Sequence, residues 1–285
     1  MERSVFYDLA CESSVKKESE EKSIKFWESA SGNLQIRWGE DEHHGRYAVF
    51  FTNPLYWMED DYFLTVRDKV SEEIVNLFKE YMPKQKERSL ELLVIGLGNP
   101  KMTADALGAE VVERVMVTRK LYEPSECFLA MSVSAISIGV LGTTGIETLE
   151  HLRALCHQIR PDLVLTVDAL AAKRSERLGA TIQISSGGIS PGSGVKQPQK
   201  RLSRQTLGVP VVSIGVPTVI HASAILRESF EKLGILEWES AREIVAREGD
   251  FFVMPKESDL LLRESANLLS SAINRACVRF SEERT

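Results

Sequence analysis

Two aspartates have the residue type and the setting for hydrolytic chemistry. Asp105 lies in the segment TADALG (103–108), and Asp168 lies in VDALAA (167–172). Each is a lone charge among small apolar residues, where a carboxylate requires a partner. Two carboxyl groups that share a proton can divide the work of hydrolysis, because one acts as a base toward water while the other polarises a carbonyl. The pair therefore indicates an acid–base hydrolase.

A structural interpretation of the same two residues is also open at this point. An aspartate at position 105 suits the start of a helix, where the macrodipole favours an acid. Asp168 likewise suits the turn that ends a strand. The apolar surroundings favour the catalytic interpretation, since each carboxylate is the other's most suitable partner.

The elements that must position these aspartates are apolar strands that alternate with amphipathic helices. The apolar runs predict strands at 91–95, 163–167, 181–184 and 211–214. Apolar residues at helical spacing predict helices at 62–81, 105–117, 146–159 and 218–233. This alternation predicts an α/β fold with a largely parallel sheet covered by helices on both faces. Ligands bind such sheets outside the carboxyl ends of the strands, where both aspartates are expected.

The pattern also predicts how the chain is divided. Residues 1–30 are polar and charge-rich and predict a leader, and residues 31–285 predict one α/β domain with its core at about 91–233. Two short apolar segments at 34–38 and 47–51 flank a polar turn and predict a hairpin. With the helix at 62–81, this hairpin forms an N-terminal addition to the core. A leucine-rich helix is expected at about 255–280.

Composition and motifs exclude several classes of protein. The net charge is −6, which argues against direct binding of nucleic acid. The sequence contains no apolar run long enough for a membrane span and no signal peptide, so a cytoplasmic protein is expected. The four cysteines form no CxxC pair, which indicates reduced thiols. The loop VIGLGNP (94–100) lacks the third glycine of a dinucleotide fingerprint, and no cofactor is expected.

Several segments resemble, in order, those of the germination protease family of spore-forming bacteria. The resemblance is strongest over about 92–225. It is carried by GLGN (96–99), TADALG (103–108), VTR (117–119), GTTGIET (142–148), DALAA (168–172), ATIQIS (180–185), PGSGV (191–195) and GVPTV (215–219).

This resemblance implies a fold similar to that of hydrogenase maturation proteases and two catalytic aspartates, Asp105 and Asp168. It implies an endopeptidase of the forespore or spore core that begins the degradation of small acid-soluble spore proteins during germination. It also implies a homotetrameric zymogen that removes its own N-terminal segment. The segment YDLA (7–10) resembles the processing site, so cleavage is expected between Asp8 and Leu9, which would release residues 1–8.

A basic segment suggests how the substrate is held. Lys196, Lys200, Arg201 and Arg204 follow one another closely. Since the family prefers a glutamate beside the scissile bond, these residues are candidates for attracting that acid. A solvated loop with no such role is the competing interpretation.

The chain also departs from the family pattern. It has SGGIS at 186–190, where the family tends to have DTGIH, and His221, where an aspartate is usual. One alternative is therefore a metal-dependent maturation-type protease with Asp105, Asp168 and His221 as ligands. A second alternative is a scaffold that binds spore proteins without cutting them.

Overall fold

A mixed β-sheet forms the frame of the protein. The computed structural model describes residues 20–29, 32–41, 45–83, 89–119, 131–192, 200–234 and 251–284. Within these ranges the sheet has nine strands, in the order β1-β2-β3-β7-β8-β6-β4-β5, and β9 pairs with β8. The strands are β1 (Glu20–Ser29), β2 (Gly32–Asp41), β3 (Gly45–Phe51), β4 (Leu90–Gly96), β5 (Met131–Ser137), β6 (Leu163–Ala172), β7 (Thr181–Ser185), β8 (Val211–His221) and β9 (Phe252–Val253).

Helices connect these strands and pack on the sheet. They are α1 (Asp60–Tyr81), α2 (Leu107–Val112), α3 (Leu141–Thr144), α4 (Thr148–Ile159), α5 (Arg204–Leu207), α6 (Ala222–Lys232) and α7 (Ser258–Glu282). Helix α1 has Asp60 and Asp61 in its first turn and Lys79 in its last, which suits the helix dipole at both ends. Among the helices described, none is long and apolar enough to cross a lipid bilayer.

The prediction of a largely parallel sheet is wrong for half of the molecule. Strands β5, β4, β6 and β8 are parallel. Strands β1, β2, β3 and β7 run antiparallel to their neighbours, including β7 against β8. The sequence TIQIS of β7 alternates polar and apolar residues, which is typical of an antiparallel strand rather than of a continuously apolar parallel one.

Two strands of the parallel half are longer than their apolar runs predict. Strand β6 continues to Ala172 and β8 to His221, so helix α6 begins at Ala222 rather than at 218. The two extensions pair with each other, from Asp168 opposite Gly215 to Ala172 opposite Ile220. Small and apolar residues in both segments permit this pairing. Asp168 therefore lies within a strand and does not end it.

Other boundaries also differ from the sequence pattern. Strand β1 occupies residues 20–29, which the pattern assigns to the leader. Helix α2 has only six residues, since it begins at Leu107, after a 3-10 turn at Thr103–Asp105, and ends at Val112 rather than at 117. Strands β5 and β9 have no counterpart in the predicted elements.

Helices cover both faces of the sheet, as predicted. Helices α1, α2 and α7 pack on one face, in a core that includes Phe50, Leu92 and Ile214. On the other face, Leu149 and Leu152 of α4 pack against residues of β4, β6 and β8. The parallel strands are consequently buried on both sides, which explains their continuous apolar character.

The contact between α1 and α7 is a major part of this core. Phe78 of α1 is 0% exposed, and its ring meets that of Phe280 edge to face at 5.5 Å.

We expect Phe78→Ala to lower the free energy of unfolding by about 3–5 kcal/mol, because the change leaves a cavity. Leu64→Ala on the same helix, at a side chain that is 44% exposed, should change it by less than about 0.5 kcal/mol. Urea denaturation measures both, and equal losses would contradict this account of the core.

Candidate active site

Asp168 lies where β6 extends past the end of β4. The last residue of β4, Gly96, pairs with Val167, and Asp168 is the next residue of β6. On its other side, Asp168 pairs with Gly215 of β8. Its side chain is 7% exposed, and its Oδ1 accepts a hydrogen bond from the Ala169 N–H at 2.9 Å. The carboxyl group therefore lies at the carboxyl edge of the parallel strands, as expected.

Asp105 reaches the same edge through the loop that follows β4. Asn99 N–H donates a hydrogen bond to Asp105 Oδ2 at 2.7 Å. Gly98 has a φ of +96°, and a Cβ there would collide with the backbone oxygen of Asp105 and lie 2.8 Å from its Oδ1. Glycine is thus required at position 98 for both its conformation and its close approach to Asp105.

Contacts at Val167 bring the two aspartate segments together. Leu97 N–H donates a hydrogen bond to Val167 O at 2.9 Å. Gly108, which follows the Asp105 turn, lies so close that an added Cβ would be 2.5 Å from the same oxygen. The turn at 103–105 itself lies against β6 and β8. The loop that carries Asp105 therefore begins and ends beside the residue that precedes Asp168.

The environment of Asp105 favours its protonated form. Burial raises the pKa of this carboxyl above its ordinary value, and the hydrogen bond from Asn99 N–H opposes the shift only in part. A carboxyl that retains its proton can donate a hydrogen bond to a carbonyl oxygen, which is the role of the acid in a two-carboxylate hydrolase.

A band of buried polar side chains extends from Asp168 across the sheet. Thr166 Oγ1 donates to Ser213 Oγ at 2.8 Å, and these two residues form the pair that lies two residues before Asp168 and Gly215 in the register of β6 and β8. Gln183 pairs with Gly215 from the other side and is 5% exposed. The sequence analysis missed Thr166, Ser213 and Gln183. Polar residues inside otherwise apolar strands were the available signal, since buried polar groups need a specific partner.

His221 does not join the two aspartates. It is the last residue of β8, and its ring lies 4.2 Å from that of Phe252. His221 follows Gly215, the partner of Asp168, by six residues of extended chain. It therefore lies roughly 16–20 Å from Gly215 along the strand. Within the described ranges, no three His, Cys, Asp or Glu side chains form a group that could hold a metal ion. The predicted ligand set of Asp105, Asp168 and His221 does not fit a metal.

The basic segment makes contacts of its own. Lys200 Nζ lies 3.2 Å from Glu147 Oε2 on the surface, an arrangement that contributes little to stability. Arg201 donates from Nη2 and Nε to Gly187 O at 2.9 and 3.1 Å. Arg201 therefore holds the turn in which the sequence departs from the family pattern. Lys196, Asp8 and Leu9 lie outside the described residues, and the roles predicted for all these residues stay predictions.

The raised pKa of Asp105 predicts how stability depends on pH. Because the folded state favours the protonated carboxyl, its contribution is greatest in acid and is lost as the pH rises through the folded-state pKa. Asp105→Asn has no such titration. We therefore expect the variant to gain stability relative to wild type between about pH 4 and pH 7.

Urea denaturation at the two pH values measures this gain. Asp259→Asn, at an exposed position in the first turn of α7, is the matched surface control. A stability difference between Asp105→Asn and wild type that is the same at both pH values would contradict the burial effect.

Known proteins are similar to this chain over most of its length. A family model described as germination protease matches residues 11–236. A germination protease of Caldanaerobacter subterraneus is 39% identical over 243 residues, which cover 75% of this chain and 73% of the relative. One of Clostridium tetani is 39% identical over 227 residues, which cover 70% of each chain. One of a Geobacillus species is 36% identical over 258 residues, which cover 70% of this chain and 69% of the relative. The chain therefore belongs to the germination protease family.

Proposed function

We propose that this protein is an endopeptidase that begins the degradation of small acid-soluble spore proteins during germination, with Asp105 and Asp168 as its acid–base pair. One observation carries the proposal. The loop with Asp105 and the strand segment with Asp168 meet at Val167, at the edge of the sheet where ligands bind. Membership of the germination protease family supports the type of reaction and its setting in the spore.

The raised pKa of Asp105 suggests how the roles divide between the two carboxyl groups. Asp105, whose pKa is raised by burial, holds a proton and donates it in a hydrogen bond to the oxygen of the scissile carbonyl. Asp168 is the base. It takes a proton from the attacking water while the water oxygen bonds to the carbonyl carbon.

The same two groups complete the reaction. Asp168 then delivers its proton to the amide nitrogen, so that the C–N bond breaks and an amine leaves. As the C=O double bond re-forms, the proton shared between Asp105 and the carbonyl oxygen returns to Asp105. The acyl part of the substrate leaves as a carboxylic acid. Each carboxyl thus ends in its starting state, and one water is consumed.

The family resemblance extends the proposal to the assembly and maturation of the enzyme. The protein is made as a homotetrameric zymogen in the forespore or spore core and removes its own first eight residues. The core around β4, β6 and β8 is similar in fold to hydrogenase maturation proteases. Among the basic residues, Lys196 and Lys200 attract an acidic residue of the substrate, while Arg201 acts through the turn at Gly187.

The two alternatives receive less support. The position of His221 at the end of β8, six residues beyond the partner of Asp168, disfavours a metal-dependent protease. A scaffold without catalysis has no need for a partly buried carboxyl with a raised pKa, since the desolvation of that group lowers stability at neutral pH.

The decisive experiment is incubation with a purified small acid-soluble spore protein after removal of the leader. We expect wild type to cleave it, and Asp105→Asn and Asp168→Asn each to lower kcat by about 10²–10⁴-fold, because each removes one proton-transfer group. Asp162→Asn is the matched control, since Asp162 lies just before β6 at the far end from Asp168 and bonds to the Glu91 N–H. Cleavage by both site variants at the wild-type rate would contradict the assignment of Asp105 and Asp168 as the acid–base pair. No cleavage by any protein would overturn the protease proposal.

Self-processing is tested separately by N-terminal sequencing. We expect the mature wild-type protein to begin at Leu9 and purified Asp168→Asn to keep Met1, because removal of the leader needs the same chemistry. Wild-type enzyme added to the variant should release the same segment. A different first residue would refute the processing site, and a variant that matures alone would refute self-processing.

A further inference from the structure

Strand β8 contains a bulge just beyond the residue that pairs with Asp168. Leu170 of β6 pairs with Pro217, but the next residue, Ala171, pairs with Val219. Thr218 is therefore an extra residue with no counterpart on β6. Bulges of this kind redirect a side chain that would otherwise follow the alternation of the strand, and they are frequent near active sites.

The bulge directs Thr218 toward the turn of Asp105. Thr218 is 2% exposed, and its Oγ1 donates a hydrogen bond to Ala104 O at 2.6 Å. Ala104 directly precedes Asp105 in a single 3-10 turn that has no side-chain cap. A turn this short has few bonds of its own, so a bond from a buried strand residue restricts it strongly.

Strand β8 thus holds both aspartates. Gly215 pairs with Asp168 on β6, and three residues later Thr218 binds the residue before Asp105. We propose that Thr218 is a positioning residue that sets the distance between the two carboxyl groups. This inference rests on the proposed function, because it assigns a role in a reaction that needs both carboxyls at once.

A misplaced carboxyl group lowers the rate of the chemical step. A shift of about 1 Å in a reacting group can lower the rate about 10²-fold. Thr218 donates its hydroxyl hydrogen to the backbone and not to a substrate, so substrate binding should change little. The distinction between kcat and KM therefore separates positioning from binding.

The test uses three variants of the full chain. Thr218→Val keeps the shape and removes the hydroxyl, and Thr218→Ser keeps the hydroxyl. Thr118→Val removes a buried hydroxyl that accepts the Val133 N–H at 3.0 Å beside β5. We expect Thr218→Val to lower kcat on a small acid-soluble spore protein by about 10–100-fold, with KM within about threefold. Thr218→Ser and Thr118→Val should keep kcat within about threefold of wild type.

Amide hydrogen exchange supplies a measurement that needs no substrate. Backbone amide exchange should be faster in Thr218→Val than in wild type at Asp105 and at Asn99, whose N–H is bonded to the Asp105 carboxyl group. Thr218→Ser should restore slow exchange, and Thr118→Val should leave it unchanged.

The outcomes separate this inference from the proposed function. Wild-type kcat in Thr218→Val, an equal loss of kcat in Thr118→Val, or unchanged exchange at Asn99 and Asp105 would each overturn the positioning role. If wild type cleaves no spore protein, the proposed function fails, while the exchange measurement still decides whether Thr218 holds the turn.

Discussion

The carbonyl oxygen of Val167 is the point on which the arrangement of the candidate site depends. Leu97 N–H donates a hydrogen bond to this oxygen, and Gly108 packs directly against it. The loop between these residues carries Asp105, and the residue after Val167 is Asp168. Val167 therefore contacts both ends of the loop that carries Asp105, and it directly precedes Asp168 in β6. The bond from Leu97 continues the pairing of β4 with β6, because Gly96, the last residue of β4, lies opposite Val167.

The glycines around this contact are a consequence of that close packing. Gly98 has a positive φ and lies against Asp105, while Gly108 lies against Leu97 and Val167. A Cβ at Gly98 would collide with Asp105, and a Cβ at Gly108 would collide with the backbone of Leu97 and Val167. The glycine run that superficially resembles a nucleotide-binding loop therefore serves a different purpose here, which is close approach of one backbone segment to another.

The polar groups near Asp168 are held by the sheet itself. Thr166 and Ser213 bond to each other across β6 and β8, and Gln183 faces Gly215 from β7. Strand β7 supplies this third polar position because it runs antiparallel and alternates polar and apolar residues. The departure from a fully parallel sheet thus contributes directly to the surroundings of the candidate site. The burial of Asp105, which favours its protonated form, has the same origin in close packing around the loop.

Local patterns in the sequence determined most of the elements and the choice of aspartates. Apolar runs and helical spacing located β4, β6, α1 and α4, and lone charges among small residues singled out Asp105 and Asp168. Only the tertiary structure decided strand direction, strand length and proximity, because these depend on which segments pair. The extension of β6 and β8 to Ala172 and His221 follows from their mutual hydrogen bonds, and it carries His221 away from the aspartates. The bulge at Thr218 and the contact at Val167 likewise join residues far apart in the chain, which no local pattern encodes.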